Sequence, residues 1–271
     1  MIYTRIRKEN CMKRNILCGL LAAAALVLPA KAARPIPVQV DGQELNTTAY
    51  LEQGVTYVPL RDLLDNLGGW EVWWDSQTKT AAAVSEETRL SADPDANTIT
   101  VNGDVYKALV AVVNGRTYLP LRQAIEALGG YAQWDPWMGG AAATTAGADY
   151  DAVDFYWLAR IISAESGGEP LEGQIAVGNV VLNRVESEDF PNSIPEVIFD
   201  CVDAVQFEPV ENGSIYRIPS TLSVEAARRV LDGENTVGKA MFFYAPALSE
   251  GIWINDNREY QQTIGCHRFY V

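Results

Sequence analysis

The sequence predicts an α+β chain in two parts: an N-terminal domain built from a two-copy strand-plus-helix repeat, and a C-terminal, mainly helical domain with short strands. Three observations carry this. A hexapeptide recurs, Thr56-Tyr57-Val58-Pro59-Leu60-Arg61 as Thr117-Tyr118-Leu119-Pro120-Leu121-Arg122, which marks an internal repeat. The stretch Trp157 to Arg184 carries helical spacing, with Leu158, Ile161, Ile162 and Glu165 at i, i+3, i+4 and i+7. With 271 residues, 48% of them hydrophobic and 10% aromatic, the chain can build a core in each of two domains.

In chain order, Arg5, Arg7, Lys8, Lys13 and Arg14 precede an apolar run from Ile16 to Leu28 and the small-residue pattern Ala30-Lys31-Ala32. Residues 1–32 therefore read as a secretory signal peptide cleaved before Ala33. The apolar run is too short for a membrane span, which needs about twenty residues. Without residues 1–32, 15 Lys and Arg face 34 Asp and Glu, a net charge of −19. Such a field repels phosphate backbones and anionic lipid surfaces, so neither nucleic acid nor, after signal cleavage, a membrane is an expected partner. The expected location is extracellular or on the cell wall. Cys201 and Cys266 then remain, either as a disulfide, which that compartment permits, or as two small buried thiols.

Each repeat copy begins with alternating segments and turn residues, Val38 to Gly42 and Ile99 to Gly103, which read as hairpins. After the hexapeptide, Leu60, Leu63, Leu64 and Leu67, or Leu121, Ile125 and Leu128, follow helical spacing up to a Gly-Gly stop. An aromatic strand ending in Trp-Asp closes each copy. The pattern resembles the copper amine oxidase-like N-terminal domain, assigned here to residues 33–138. No histidine precedes His267, so an imidazole copper site is ruled out and the module reads as non-catalytic. Trp70, Trp73, Trp74, Trp134 and Trp137 are read as packing between sheet and helix rather than stacking on sugars. Residues 139–149, rich in Gly, Ala and Thr, read as a linker.

The second domain, 150–271, opens with a helix that ends at Ser166-Gly167-Gly168. Glu165 therefore falls in its last turn, on the face of its apolar residues. A second helix from about Leu171 is apolar nearly all round and must be buried. Its polar residues Gln174, Asn179 and Asn183 then need partners inside the domain or along a cleft. A helix is expected from Ser223, as N-cap, to Leu231. Met241 to Tyr244, Ile252 to Ile254 and Thr263 to Tyr270 read as short extended segments.

A chain with one histidine cannot form a zinc site of several imidazoles. Cys266 adjoins His267, and neighbours in an extended segment face opposite ways, which makes that nucleophile–base pair poor. Cys201 with His267 has no supporting signature. Carboxylate chemistry remains: a glutamate in an apolar setting keeps its proton towards neutral pH and can serve as a general acid. A structural alternative is a buried carboxyl paired with Arg160 or Arg184. No cofactor or metal is called for.

The run AESGGEPLEGQIAVGNVVLNRV, the later Gln206-Phe207, the FFYAP segment around Tyr244 and the closing IGCHRFY resemble the SleB/CwlJ family of cell wall hydrolases, from about Leu158 to Val271. The resemblance implies a lysozyme-like fold, the glycan strand of peptidoglycan as substrate, and Glu165 as catalytic acid. By the same analogy Glu165 then acts as base, in a lytic transglycosylase reaction that yields 1,6-anhydro products. Glu169, Gln206, Tyr244 and His267 match motif positions that could contact sugar. A hydrolytic muramidase would need a second carboxylate, for which Glu169 and Glu172 are nearest in sequence. Glu172 also suits the positive end of the second helix. An amidase cutting the peptide stem and a non-catalytic wall-binding protein are the other classes open.

Overall fold

The computed structural model describes residues 34–202 and 205–271, so the expected signal segment lies outside the described residues. The chain divides into two compact units between Ala152 and Val153. In the first, β1 (Arg34–Ile36), β2 (Val38–Val40), β3 (Gln43–Glu44), β4 (Ala49–Glu52) and β5 (Val55–Pro59) lead into helix α1 (Leu60–Leu67). Strands β6 (Glu71–Asp75), β7 (Thr80–Val84), β8 (Arg89–Asp93), β9 (Thr98–Val101), β10 (Asp104–Lys107), β11 (Ala111–Val113) and β12 (Arg116–Pro120) follow, then α2 (Leu121–Ala127), β13 (Tyr131–Asp135) and β14 (Gly140–Thr144).

The repeated hexapeptides pair with each other. β5 lies antiparallel to β12, with Pro59 opposite Tyr118 and Tyr57 opposite Pro120, at the centre of a sheet ordered β1-β4-β5-β12-β11. The two following helices turn Leu60, Leu63 and Leu64, and Leu121, Ala124 and Ile125, into one core with Leu119 and Ile99. The expected hairpins are β2–β3 and β9–β10. Their turns place Asp41 and Gly42, and Asn102 and Gly103, at positive φ, as two-residue hairpin loops require.

Two expectations for this unit are corrected. Part of the expected linker is β14, a wholly buried strand inserted between β13 and β2. Its small residues let backbones approach closely: a Cβ on Gly140 would lie 2.2 Å from the Pro37 carbonyl oxygen. Of the five tryptophans read as packing residues, Trp70 does pack against the core, but Trp73, Trp74 and Trp134 stand 47%, 48% and 44% exposed. They lie on β6 and β13, each the outermost strand of its sheet.

The second unit holds α3 (Ala152–Ser166), α4 (Leu171–Val185), α5 (Ile194–Ile198), α6 (Glu208–Asn212), α7 (Thr221–Leu231) and α8 (Ile252–Asn257). A three-stranded sheet, β15 (Phe242–Tyr244), β16 (Tyr260–Ile264) and β17 (His267–Tyr270), runs in the order β15-β17-β16. α4 is the buried axis. Ala176, Val177 and Val180 face Val237, Ala240 and Phe269, while Gly178 leaves room for Ile162 of α3 and Val230 of α7. The polar residues of α4 are spent on internal ties. Asn179 bonds Glu234 and Thr236, Asn183 donates to the Gly238 and Ala240 carbonyls, and Gln174 links the Glu169 carbonyl to the Ser223 hydroxyl.

Ser223 is therefore not a cap. Ser220 caps α7, three residues earlier than expected, because the Ser223 hydroxyl is buried on Gln174. Ile252-Trp253-Ile254 is helical rather than extended; Ile252 and Trp253 are exposed, so no sheet neighbour enforces their strand preference. The expected segment Thr263 to Tyr270 is interrupted by a turn at Gly265-Cys266. Cys266 is a free, exposed thiol, neither bridged to Cys201 nor buried.

Candidate active site

The C-terminus of α3 positions Glu165. Gly167 N–H closes the last turn on the Ser163 carbonyl, and the buried Ser166 hydroxyl bonds back to Ile162. One turn earlier Leu158, Ile161 and Ile162 are fully buried, so the helix cannot rotate the carboxylate away from the protein interior. Glu165 is itself half-buried. Burial pushes its pKa up, from the ordinary 4.5 to about 7; the negative charge of Glu208 adds to the rise and the positive charge of Arg184 opposes it.

Arg184, in the last turn of α4, is the counter-charge. Its Nε donates to the Met241 carbonyl at 2.8 Å, and its guanidinium lies 5.0, 5.1 and 5.5 Å from the ring centres of Phe190, Phe207 and Phe242. This aromatic cage lowers its pKa to about 10 by desolvation, against the charges of Asp200 and Glu165, and leaves it a cation at neutral pH. Arg160, the other arginine considered for pairing with Glu165, stacks on Tyr156 at 3.5 Å.

The remaining expected site residues fall into three places. Gln206 belongs with Glu165, since its Oε1 accepts from Arg184 Nη1 at 3.4 Å. Glu169 and His267 form a second group at the α3–α4 corner. The Glu169 carboxylate accepts the Cys266 N–H at 2.8 Å, and the space it occupies would be filled by a Cβ on Gly265, 1.8 Å from Oε2. Glu169 therefore clamps the β16–β17 turn to the loop after Glu165. His267 beside it is buried against Phe243, its Nδ1 without a hydrogen-bond partner among the described residues; burial depresses its pKa while the Glu169 charge supports it. Tyr244 forms a third group, its hydroxyl bonded to Asn255, which also takes the Tyr270 hydroxyl at 2.6 Å.

Glu172 sits in the first turn of α4. The carboxylate whose charge reaches Glu165 is instead Glu208, the first residue of α6, which sequence reasoning passed over. The signal was available, because Glu208 directly follows the Gln206-Phe207 pair. Arg184 as the cation beside Glu165 was foreseen only as a structural alternative.

Residues 168–270 match the family described as Cell Wall Hydrolase, beginning just after Glu165, and residues 39–145 match the Copper amine oxidase N-terminal domain. A spore cortex-lytic enzyme of Bacillus cereus is 36% identical over 122 residues, 44% of this chain and 45% of the relative. The spore cortex-lytic enzyme of Bacillus subtilis (strain 168) is 34% identical over 116 residues, 43% of this chain and 37% of the relative. The solved catalytic domain of the germination-specific lytic transglycosylase SleB from Bacillus anthracis is 34% identical, covering 45% of this chain and 98% of that one, with a TM-score of 0.40. This chain thus spans less than half the length of those two curated relatives.

Proposed function

The chain belongs, through its second domain, to the cell wall hydrolases of the SleB and CwlJ type, and from that premise we propose that it is a secreted enzyme that cleaves the glycan strand of peptidoglycan between N-acetylmuramic acid and N-acetylglucosamine. The observation that carries this reading is Glu165. At a helix end, beside a caged arginine, its carboxyl keeps a proton up to about pH 7. A protonated carboxyl at that pH can deliver the proton to a glycosidic oxygen as the bond breaks. The resulting carboxylate is then held by the Arg184 charge and can accept the proton of the muramoyl 6-hydroxyl as that oxygen attacks C1, giving a 1,6-anhydro end. One carboxylate performs both transfers. Gln206 steadies Arg184, and Glu169 and His267 act by fixing the loop that carries Glu165.

A second reading has one observation in its favour. With water in place of the 6-hydroxyl the enzyme is a muramidase, and Glu208 is the carboxylate whose charge bears on Glu165. The test of the shared claim is Glu165→Gln in the full chain, assayed on purified sacculi. Release of muropeptides is expected to vanish while the protein still sediments with the wall. Undiminished release would remove Glu165 from the mechanism and with it both readings.

A further inference from the structure

The hexapeptide repeat places equivalent side chains in both copies, and the copies use them differently. In the first, Arg61 donates to the Val72 carbonyl at 2.7 Å, and Asp62 takes both Arg116, at 2.7 Å, and the Thr47 hydroxyl. These groups brace the fold. Their equivalents in the second copy are Arg122 and Gln123. Neither has a side-chain hydrogen bond or ion pair among the described residues, and both line a cavity of about 280 Å³. Trp134, equivalent to Trp74, and Thr56 also line it, and Ala141, the cross-strand partner of Trp134, is too small to cover the ring.

The chemistry of this cavity narrows its occupant. A half-exposed indole offers a flat apolar face, which suits the C–H face of a pyranose ring and leaves the sugar's polar edge free. An amide, a hydroxyl and a guanidinium, none with a side-chain partner among the described residues, line the same cavity and can supply the few directed polar contacts that fix orientation in a small-ligand site. The volume lies just below the usual range for such sites, about 300–1,000 Å³, so it suits one sugar unit rather than a folded partner. Arg122 adds an exposed cation in a chain whose net charge is −14, which favours a ligand that carries hydrogen-bond acceptors or negative charge.

We propose that the second repeat carries a glycan subsite in which Trp134 stacks on an N-acetylhexosamine of the peptidoglycan strand, Gln123 and Thr56 bond its polar edge, and Arg122 donates to the lactyl carbonyl of a neighbouring muramoyl group. The N-terminal domain then holds the wall, while the second domain cuts it. The choice of peptidoglycan as the glycan rests on the function proposed above; the cavity and its open polar groups do not.

The test uses the full chain carrying Glu165→Gln, so that binding is read without cleavage. Retention on purified sacculi is compared with that of the same chain carrying Trp134→Ala, Trp134→Phe or Gln123→Ala, each checked for an unchanged thermal midpoint. Trp134→Ala is expected to weaken retention on the order of tenfold, about 1.4 kcal/mol. Trp134→Phe should keep most of it, and Gln123→Ala should lose several-fold. Soluble N-acetylglucosamine oligomers should compete for the Trp134-dependent part. Equal retention by Trp134→Ala and its parent overturns the subsite, as does competition by free stem peptides in place of sugars. The outcome stands apart from catalysis: if the native chain releases no muropeptides, the function proposed above fails, while a Trp134-dependent retention still reports the subsite.

Discussion

Glu165 holds its proton more tightly in the folded chain than in the unfolded one, and two consequences follow. Between pH 4.5 and about 7 the folded state takes up protons that the unfolded state has released, so this residue makes stability fall as pH rises through that window. Glu165→Gln removes the penalty. Urea unfolding at pH 4 and pH 8 should show the variant gaining on the native chain with pH, by at most about 3 kcal/mol, since each tenfold difference in proton affinity is worth about 1.4 kcal/mol. The second consequence concerns Glu208, whose charge helps hold the Glu165 proton. Glu208→Gln should lower the Glu165 pKa, move the alkaline limb of the kcat profile to lower pH and reduce the rate several-fold at pH 7. Loss of activity at every pH would instead assign Glu208 the second-carboxylate role of a muramidase. At this scale the apolar stripe disclosed that Glu165 shares a face with buried side chains, while its expected catalytic role came from the family resemblance. Glu208 was passed over although it follows the Gln206-Phe207 pair, because the effect of its charge on Glu165 arises from a tertiary approach of distant segments that local spacing does not display.

The elements show where local signals suffice. The end of α3 was readable because Gly167, Gly168 and Pro170 allow few backbone solutions, and the repeat was readable because its two hexapeptides must pair as β5 and β12. Residues 140–144 were misread: a run of Gly, Ala and Thr has too little side chain to announce burial, yet that smallness is what admits β14 between β13 and β2. Ile252 to Ile254 were misread because β-branched residues favour a strand only when a neighbouring strand is present. The helix core gives a sharper test. Gly178 in α4 faces Ile162 Cδ1 and Val230 Cγ2, each 2.8 Å from where a Cβ would stand. Gly178→Ala gains up to about 1 kcal/mol of helix propensity but must push α3 or α7 away, at about 1–3 kcal/mol. A net fall in thermal midpoint is expected, with activity reduced if α3 is the helix that moves. A stabilised variant would show that the helices do not meet at Gly178 as described.

Taken whole, the molecule joins a strand-rich domain, whose exposed tryptophans are left over once its core is built, to a helical domain that sets one carboxyl near neutral pKa. The class of each domain was legible because a repeat and a motif-rich helix pair are both local patterns. The exposure of Trp73, Trp74 and Trp134 was not, since side-chain exposure depends on which strand ends at a sheet edge. The central claim is that Glu165 cuts the glycan strand with the muramoyl 6-hydroxyl as acceptor. Mass spectrometry of the muropeptides released from sacculi by the full chain tests it most directly. The account predicts fragments ending in 1,6-anhydro-N-acetylmuramic acid, absent with Glu165→Gln; free stem peptides with the glycan strands left intact would contradict it.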